Sequence, residues 1–216
     1  MKSIFTAVCL LLTGLVSAEA QSFNVNFGLS APLSTSFGAA ANQAGVWNII
    51  NNGNAATLQN LAGTNTSVQM TVTADNFSGL GGNHTGDLLS LLDLNFFTNG
   101  TSWVVSVVGL TDGLYDLYYY APSNGSIDTG AFTVNGLNAA NITGDNTSPL
   151  TQGLNWQVLN NITVTGGTLT MTAPPGFTGL GGLQLVAVPE PGTAALLGGG
   201  LVFVLIHSIR RRPKAG

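Results

Sequence analysis

Positive charge is what this chain has least of. Charged residues of both signs make up 6% of its 216 residues, against about 25% in an ordinary soluble domain. The five basic residues are Lys2, Arg210, Arg211, Arg212 and Lys214, so no Lys or Arg lies between Ala20 and Pro191. The same stretch carries seven aspartates, Asp75, Asp87, Asp93, Asp112, Asp116, Asp128 and Asp145. A groove for a phosphate backbone needs cations, so this inventory excludes nucleic-acid binding by the ordinary electrostatic route. Arg–carboxylate pairs are excluded from the interior for the same reason. Cysteine is nearly absent as well: Cys9 is the only one, and its place near the N-terminus leaves the rest without thiol, disulfide or cysteine-ligated metal. One histidine, His84, stands outside the C-terminal tail, too few for a zinc site. No Asp-x-Asp-x-Asp loop marks a calcium site. The reading is therefore no metal and no cofactor.

The apolar runs are confined to the two ends. Lys2 precedes an apolar run from Ile4 to Val16, followed by Ala18-Glu19-Ala20, the small-x-small form that signal peptidase accepts. The run is too short to span a bilayer. Residues 1–20 read as a cleaved secretory signal, with the mature chain starting near Gln21. At the other end Val188-Pro189-Glu190-Pro191-Gly192 precedes an apolar stretch, 193–209, closed by Arg210, Arg211 and Arg212. Its residues, at 1.5 Å each, give about 25 Å, the short end of a membrane-spanning helix. The arginines hold that end in the cytoplasm and leave residues 21–192 on the far side.

Val-Pro-Glu-Pro, a glycine-rich short span and a terminal arginine cluster, in that order, resemble the PEP-CTERM sorting signal of Gram-negative bacteria over residues 188–212. The resemblance implies that an exosortase, a membrane transpeptidase-like enzyme, reads and processes the tail. Pro189, Glu190 and Pro191 are then substrate residues rather than catalytic ones. It also implies an exported protein, anchored in the membrane through 193–209 before processing and afterwards at the cell surface or in the matrix of an exopolysaccharide-producing bacterium.

Between the ends, residues 21–187 show period-two alternation over short runs. Phe23 to Phe27, Ser67 to Thr73, Trp103 to Val108, Leu114 to Tyr120, Ala131 to Val134, Trp156 to Thr165, Thr168 to Thr172 and Leu183 to Val188 predict strands. Turn dipeptides such as Asn99-Gly100, Asp112-Gly113, Asn135-Gly136 and Gly166-Gly167 separate them. Leu88 to Phe97 offers the one short helix, with Asp87 as its cap. The pattern predicts an all-β domain, an antiparallel sandwich of jelly-roll type. Phe23-Asn-Val-Asn-Phe27-Gly, Gly45-Val-Trp47-Asn48, Gly109-Leu-Thr-Asp-Gly-Leu-Tyr115-Asp-Leu-Tyr118 and Phe132-Thr-Val-Asn135-Gly136 are similar to segments of galactose-binding-like jelly rolls, which implies the same fold without fixing a ligand.

Candidate chemistry is sparse. His84, in Gly81-Gly-Asn-His-Thr-Gly86, reads as an exposed loop residue; a Ser–His–Asp arrangement is the alternative, but no Gly-x-Ser-x-Gly elbow occurs. Phe77-Ser-Gly-Leu-Gly-Gly82 recurs as Phe177-Thr-Gly-Leu-Gly-Gly182, without the third glycine of a dinucleotide fingerprint; both copies read as glycine loops at sharp turns. All four tyrosines fall in Tyr115–Tyr120. Alternation puts Tyr115, Leu117 and Tyr119 on a core face and Asp116, Tyr118 and Tyr120 on the other, where a sugar ring could stack while its hydroxyls donate to the acid. Thr163, Thr165, Thr168, Thr170 and Thr172 alternate with apolar residues, as threonine does on exposed strand faces. Asn-x-Ser/Thr occurs eight times, at Asn65, Asn76, Asn83, Asn99, Asn124, Asn141, Asn146 and Asn161. The expectation is a non-enzymatic exported surface or matrix protein; the alternative is a carbohydrate-binding module using Asp116, Tyr118 and Tyr120.

Overall fold

Where apolar and polar residues alternate, a strand buries one face and wets the other, and the chain follows that rule through most of its length. The structure, a computed structural model, describes residues 21–189 apart from 33, 52, 80–82, 123–127 and 146–147. The expected signal over 1–20, Glu190 and Pro191, the span 193–209 and Arg210, Arg211 and Arg212 lie outside the described residues. Residues Ala20–Val188 form one compact unit. Its strands, in chain order, are β1 Phe23–Asn26, β2 Trp47–Ile49, β3 Ala56–Gln59, β4 Asn65–Thr73, β5 Asn76–Gly79, β6 Leu94–Phe97 and β7 Val104–Val108. They continue with β8 Gly113–Tyr120, β9 Phe132–Val134, β10 Leu137–Ala139, β11 Trp156–Val164, β12 Thr168–Thr172, β13 Gly179–Leu180 and β14 Gly182–Ala187.

The strands form a five-stranded sheet in the order β11-β8-β14-β1-β2, a six-stranded sheet β10-β9-β12-β7-β4-β3 and a three-stranded sheet β13-β6-β5. Neighbours run antiparallel except β1 and β2, which are parallel. Phe23, Val25, Tyr115, Leu117, Tyr119, Leu183 and Leu185 of the five-stranded sheet share one buried core with Val68, Met70, Val105, Val107, Leu169 and Met171 of the six-stranded sheet. This is the antiparallel jelly-roll sandwich that the alternation predicts. Edge-to-face ring contacts thread the core: Phe27–Phe96 at 4.8 Å, Phe96–Trp103 at 5.4 Å and Tyr119–Phe132 at 4.9 Å.

Two expectations are corrected. Leu88 to Phe97 is not one helix. A helical turn at Gly86–Leu88 runs into a π-helical turn at Leu89–Asp93, and the chain then straightens into β6. Asp87 does not cap it: the N-cap is Thr85, without a side-chain bond, and Asp87 instead accepts from the Ser34 N–H. Phe96 is drawn into the core by Phe27 and Trp103, and a short continuous apolar run carries no periodicity to distinguish helix from strand. The repeated Phe-Ser/Thr-Gly-Leu-Gly-Gly copies are not merely turns either. Phe77–Gly79 lies in β5 and Gly179–Leu180 forms β13, and these two strands flank β6 on opposite sides. Gly179 is required there, because a Cβ would run into the Phe96 carbonyl.

Candidate functional site

The outer face of the five-stranded sheet divides into a covered and an open half. One rung of it runs Val158, Tyr118, Gln184, Asn24, Trp47 across β11, β8, β14, β1 and β2. Over its β14–β2 side folds the segment 28–46. Gln184 is fully buried beneath it: its Nε2 donates to Asn24 Oδ1 at 2.9 Å, and its Oε1 accepts from the Ala40 N–H at 3.0 Å and from the Tyr120 hydroxyl. Asn24 in turn donates to the Gln43 carbonyl at 2.9 Å, and Asn26 to the Ser90 carbonyl at 2.9 Å. Gly38 passes so close above that an added Cβ would lie 2.5 Å from Gln184 Oε1, at a φ of +127° that only glycine adopts without strain.

Tyr120, expected on an open sugar face, belongs to this covered half. It is 0% exposed, its hydroxyl accepts from the Ala39 N–H at 2.6 Å, and its ring packs with Trp47, Leu91 and Leu92 in a second apolar cluster. Burial raises its pKa far above the ordinary phenol value. No ligand ring reaches it. The alternation was read correctly, since Tyr120 does point away from the main core, but a covering segment 80 residues away in sequence decides what such a face meets.

The open half carries Asp116, Tyr118, Trp156, Val158 and Val186, all partly exposed. Trp156 lies diagonal to Tyr118, because its own register partner is Tyr120, and the two rings stack with centroids 5.8 Å apart and planes inclined by 30°. Asp116 accepts from the Asn161 N–H at 2.8 Å. That bond holds a bulge in β11 between Leu159 and Ile162, where Asn161 takes a φ of 58°. The structure thus brings Asp116 and Tyr118 to one surface, leaves Tyr120 out and adds Trp156. Sequence reading placed Trp156 only as the start of a strand. The available signal was its alternation with Val158, which assigns both to one face.

His84 is not an exposed loop residue. Its side chain is 1% exposed and its Nδ1 lies 2.6 Å from Asp93 Oδ1, while its backbone N–H donates to Asp93 Oδ2 at 3.1 Å. Nε2 faces the Ser148 carbonyl at 3.1 Å. Both ring nitrogens thus face oxygen atoms of the protein. The nitrogen that a triad would turn toward a nucleophile is occupied by a backbone carbonyl, and the Ser148 hydroxyl donates instead to Asp145.

A common use runs through the acidic residues. Each of the seven aspartates accepts a hydrogen bond from a backbone N–H: Asp75 from Asn99, Asp87 from Ser34, Asp93 from His84, Asp112 from Gly167, Asp116 from Asn161, Asp128 from Gly130 and Asp145 from Ser148. In a unit without Lys or Arg, backbone amides replace cations as partners. The two bonds from Asn99 N and Thr101 Oγ1 hold Asp75 below the usual carboxylate pKa. Among the described residues, no group of three or more His, Cys, Asp or Glu could hold a metal ion.

The sorting motif begins where the sheet ends. Ala187 N–H donates to Ser22 Oγ at 3.0 Å and Val188 N–H to the Leu114 carbonyl at 2.9 Å; Pro189, the next residue, is exposed. Phe23 pairs with Leu185, so the first and last strands of the unit lie side by side. The sequon asparagines at 65, 76, 83, 99, 141 and 161 are all exposed; those at 124 and 146 lie outside the described residues.

Comparison with protein families matches residues 187–212 to the PEP-CTERM protein-sorting motif. The tail is thus a PEP-CTERM signal, which marks an exported protein that is sorted through an exosortase and anchored in the membrane before processing. No curated protein matches the chain. Among solved structures, a family 35 carbohydrate binding module from an environmental isolate aligns at 16% identity and TM-score 0.33, covering 56% of this chain and 89% of that one. A family 35 module from Clostridium thermocellum aligns at 14% identity and TM-score 0.29, covering 56% and 92%.

Proposed function

We propose that this chain is a non-catalytic, exported protein of an exopolysaccharide-producing Gram-negative bacterium, delivered by its tail to the cell surface or extracellular matrix. The observation that carries this reading is the sorting motif over residues 187–212. The side chains of the sandwich support it, because its aspartates brace loops and its one described histidine is tied to Asp93 and a carbonyl. The test is deletion of residues 188–216 in the producing cell. The full chain should be shortened at its C-terminus and reach the surface, whereas the truncated chain should stay unsorted; identical location and processing of both would sink the sorting claim.

A second reading, sugar binding on the outer face of the five-stranded sheet, is favoured by the stacked Tyr118–Trp156 pair beside Asp116. Such a surface joins an apolar floor to a polar group, as small-ligand sites do. Tyr120 has no part in this version. Retention of polysaccharide by Tyr118→Ala and Trp156→Ala as strongly as by the parent would remove the site.

A further inference from the structure

We propose that the ligand of the Tyr118–Trp156 surface is a glycan free of carboxylate, sulfate and phosphate groups, a polymer of uncharged or amine-bearing pyranoses. This rests on the sugar-binding reading and narrows it. The floor consists of two nearly parallel rings flanked by the partly exposed Val158 and Val186. It suits the apolar C–H face of a pyranose, and equally an ammonium group held over the rings.

The polar group at the end of the floor is one-sided. Asp116 stands two residues from Tyr118 on the same strand face, about 7 Å along β8. One carboxylate oxygen takes the Asn161 N–H, and the other has no partner among the described residues. An ionised carboxylate only accepts, so it selects ligands by the donors they bring, which are hydroxyls or ammonium groups. A uronate would set a second negative charge beside it, at a repulsive distance.

Nothing in the unit relieves that repulsion. Residues 21–189 contain no Lys or Arg, and the one basic side chain there, His84, is 1% exposed and faces Asp93. The seven aspartates make the surrounding field negative. No Lys or Arg on this surface offsets the charge of an anionic sugar.

The mature protein recovered from the cells is run through native gels containing neutral galactomannan, chitosan, or alginate, at about pH 6, where chitosan is soluble and bears ammonium groups while alginate stays anionic, with EDTA so that calcium cannot bridge carboxylates. Galactomannan or chitosan should retard it, alginate should not, and Trp156→Ala and Tyr118→Ala should each weaken the retardation at least about tenfold. Thermal melts establish that both variants are folded, and Asp116→Asn, which keeps one acceptor oxygen, tests the acid alone by weakening retardation less than either ring deletion. Retardation by alginate that Trp156→Ala abolishes would overturn the charge rule while leaving sugar binding standing. Retardation by chitosan alone, insensitive to both ring deletions, would overturn it as bulk charge attraction. Retardation by none of the three would remove the sugar-binding reading and this inference together.

Discussion

The two halves of the outer sheet face belong to one sheet and share β8 and β14, yet one is sealed and the other open. On the sealed side Asn24, Asn26, Gln184 and Tyr120 have no exposure, and their polar groups are matched to the backbone of 28–46 and to Ser90. On the open side Asp116, Tyr118 and Trp156 keep contact with solvent. Alternation fixes which way a side chain points; a segment distant in sequence fixes what it meets. The π-helical turn, whose Leu91 and Leu92 pack against Tyr120, ends at Asp93, and the buried His84 braces it there. The comparison therefore yields an ordered set of expectations, with large effects where the cover is held and small ones where no cover exists.

The largest effect belongs to the brace. His84→Ala takes the imidazole from the buried Asp93 carboxylate and leaves it only the backbone N–H of residue 84, which costs about 3–5 kcal/mol. Urea unfolding should show that loss, and the His84→Ala/Asp93→Ala double variant should lose less than the two single losses combined, because the orphaned charge has gone. An additive double variant would mean that the two side chains do not act as a pair. Next comes Gln184→Ala, which strips partners from the Ala40 N–H, the Tyr120 hydroxyl and Asn24 at once. At about 1–3 kcal/mol for a buried group left unsatisfied, partly offset by water entering the gap, the expected loss is about 2–4 kcal/mol. A loss below about 0.5 kcal/mol, the size of an ordinary surface change, would mean that the cover sits loosely.

A third expectation concerns alkali. Burial raises the pKa of Tyr119 to about 12. Burial raises Tyr115 and Tyr120 too. The unfolded chain ionises these phenols first, near pH 10, so their contribution is intact below that pH and is lost as pH climbs from 10 toward 12. Melting temperature should hold steady up to about pH 10 and then fall; a fall that is complete before pH 10 would contradict buried phenols. Tyr120→Phe should flatten part of the decline, because it removes one ionisation from the sealed half.

Much of the sandwich was legible from the residues. β4, β8 and β12 alternate over five to nine residues, long enough for period two to stand out, and the β11 sequence alternates on either side of its bulge. Asn135-Gly136 and Gly166-Gly167 make turns with both central φ values positive, as their composition demands. β2, β3, β5, β10 and β13 escaped notice because two to four residues cannot display a period, and β6 because its residues extend a leucine run. The site was legible only in direction. Asp116 and Tyr118 follow from alternation within one strand, but the neighbourhood of Trp156 depends on pairing between β8 and β11, and the loss of Tyr120 on hydrogen bonds to Ala39 and Gln184. His84 misled for the same reason: its partner Asp93 is nine residues on, across a turn that reads as helix.

The smallest expected effect tests the open half most directly. The Tyr118 hydroxyl has no hydrogen-bond partner among the described residues, so Tyr118→Phe removes nothing the fold uses and should shift stability by no more than about 0.5 kcal/mol in either direction. Trp156→Ala removes the stacked ring together with its packing against the Trp47–Tyr120 cluster and should cost more, since the aromatic pair is worth about 0.5–1.5 kcal/mol beyond the area it buries. Tyr118→Phe sits well below the Gln184→Ala loss although Tyr118 and Gln184 are neighbours on one rung. If Tyr118→Phe destabilises as much as Gln184→Ala does, then something covers Tyr118 as 28–46 covers Tyr120, and the surface is not open to a glycan. If the two variants differ as expected, the stacked pair stays exposed at a small gain in stability, and what keeps those rings at the surface has to be sought in binding rather than in folding.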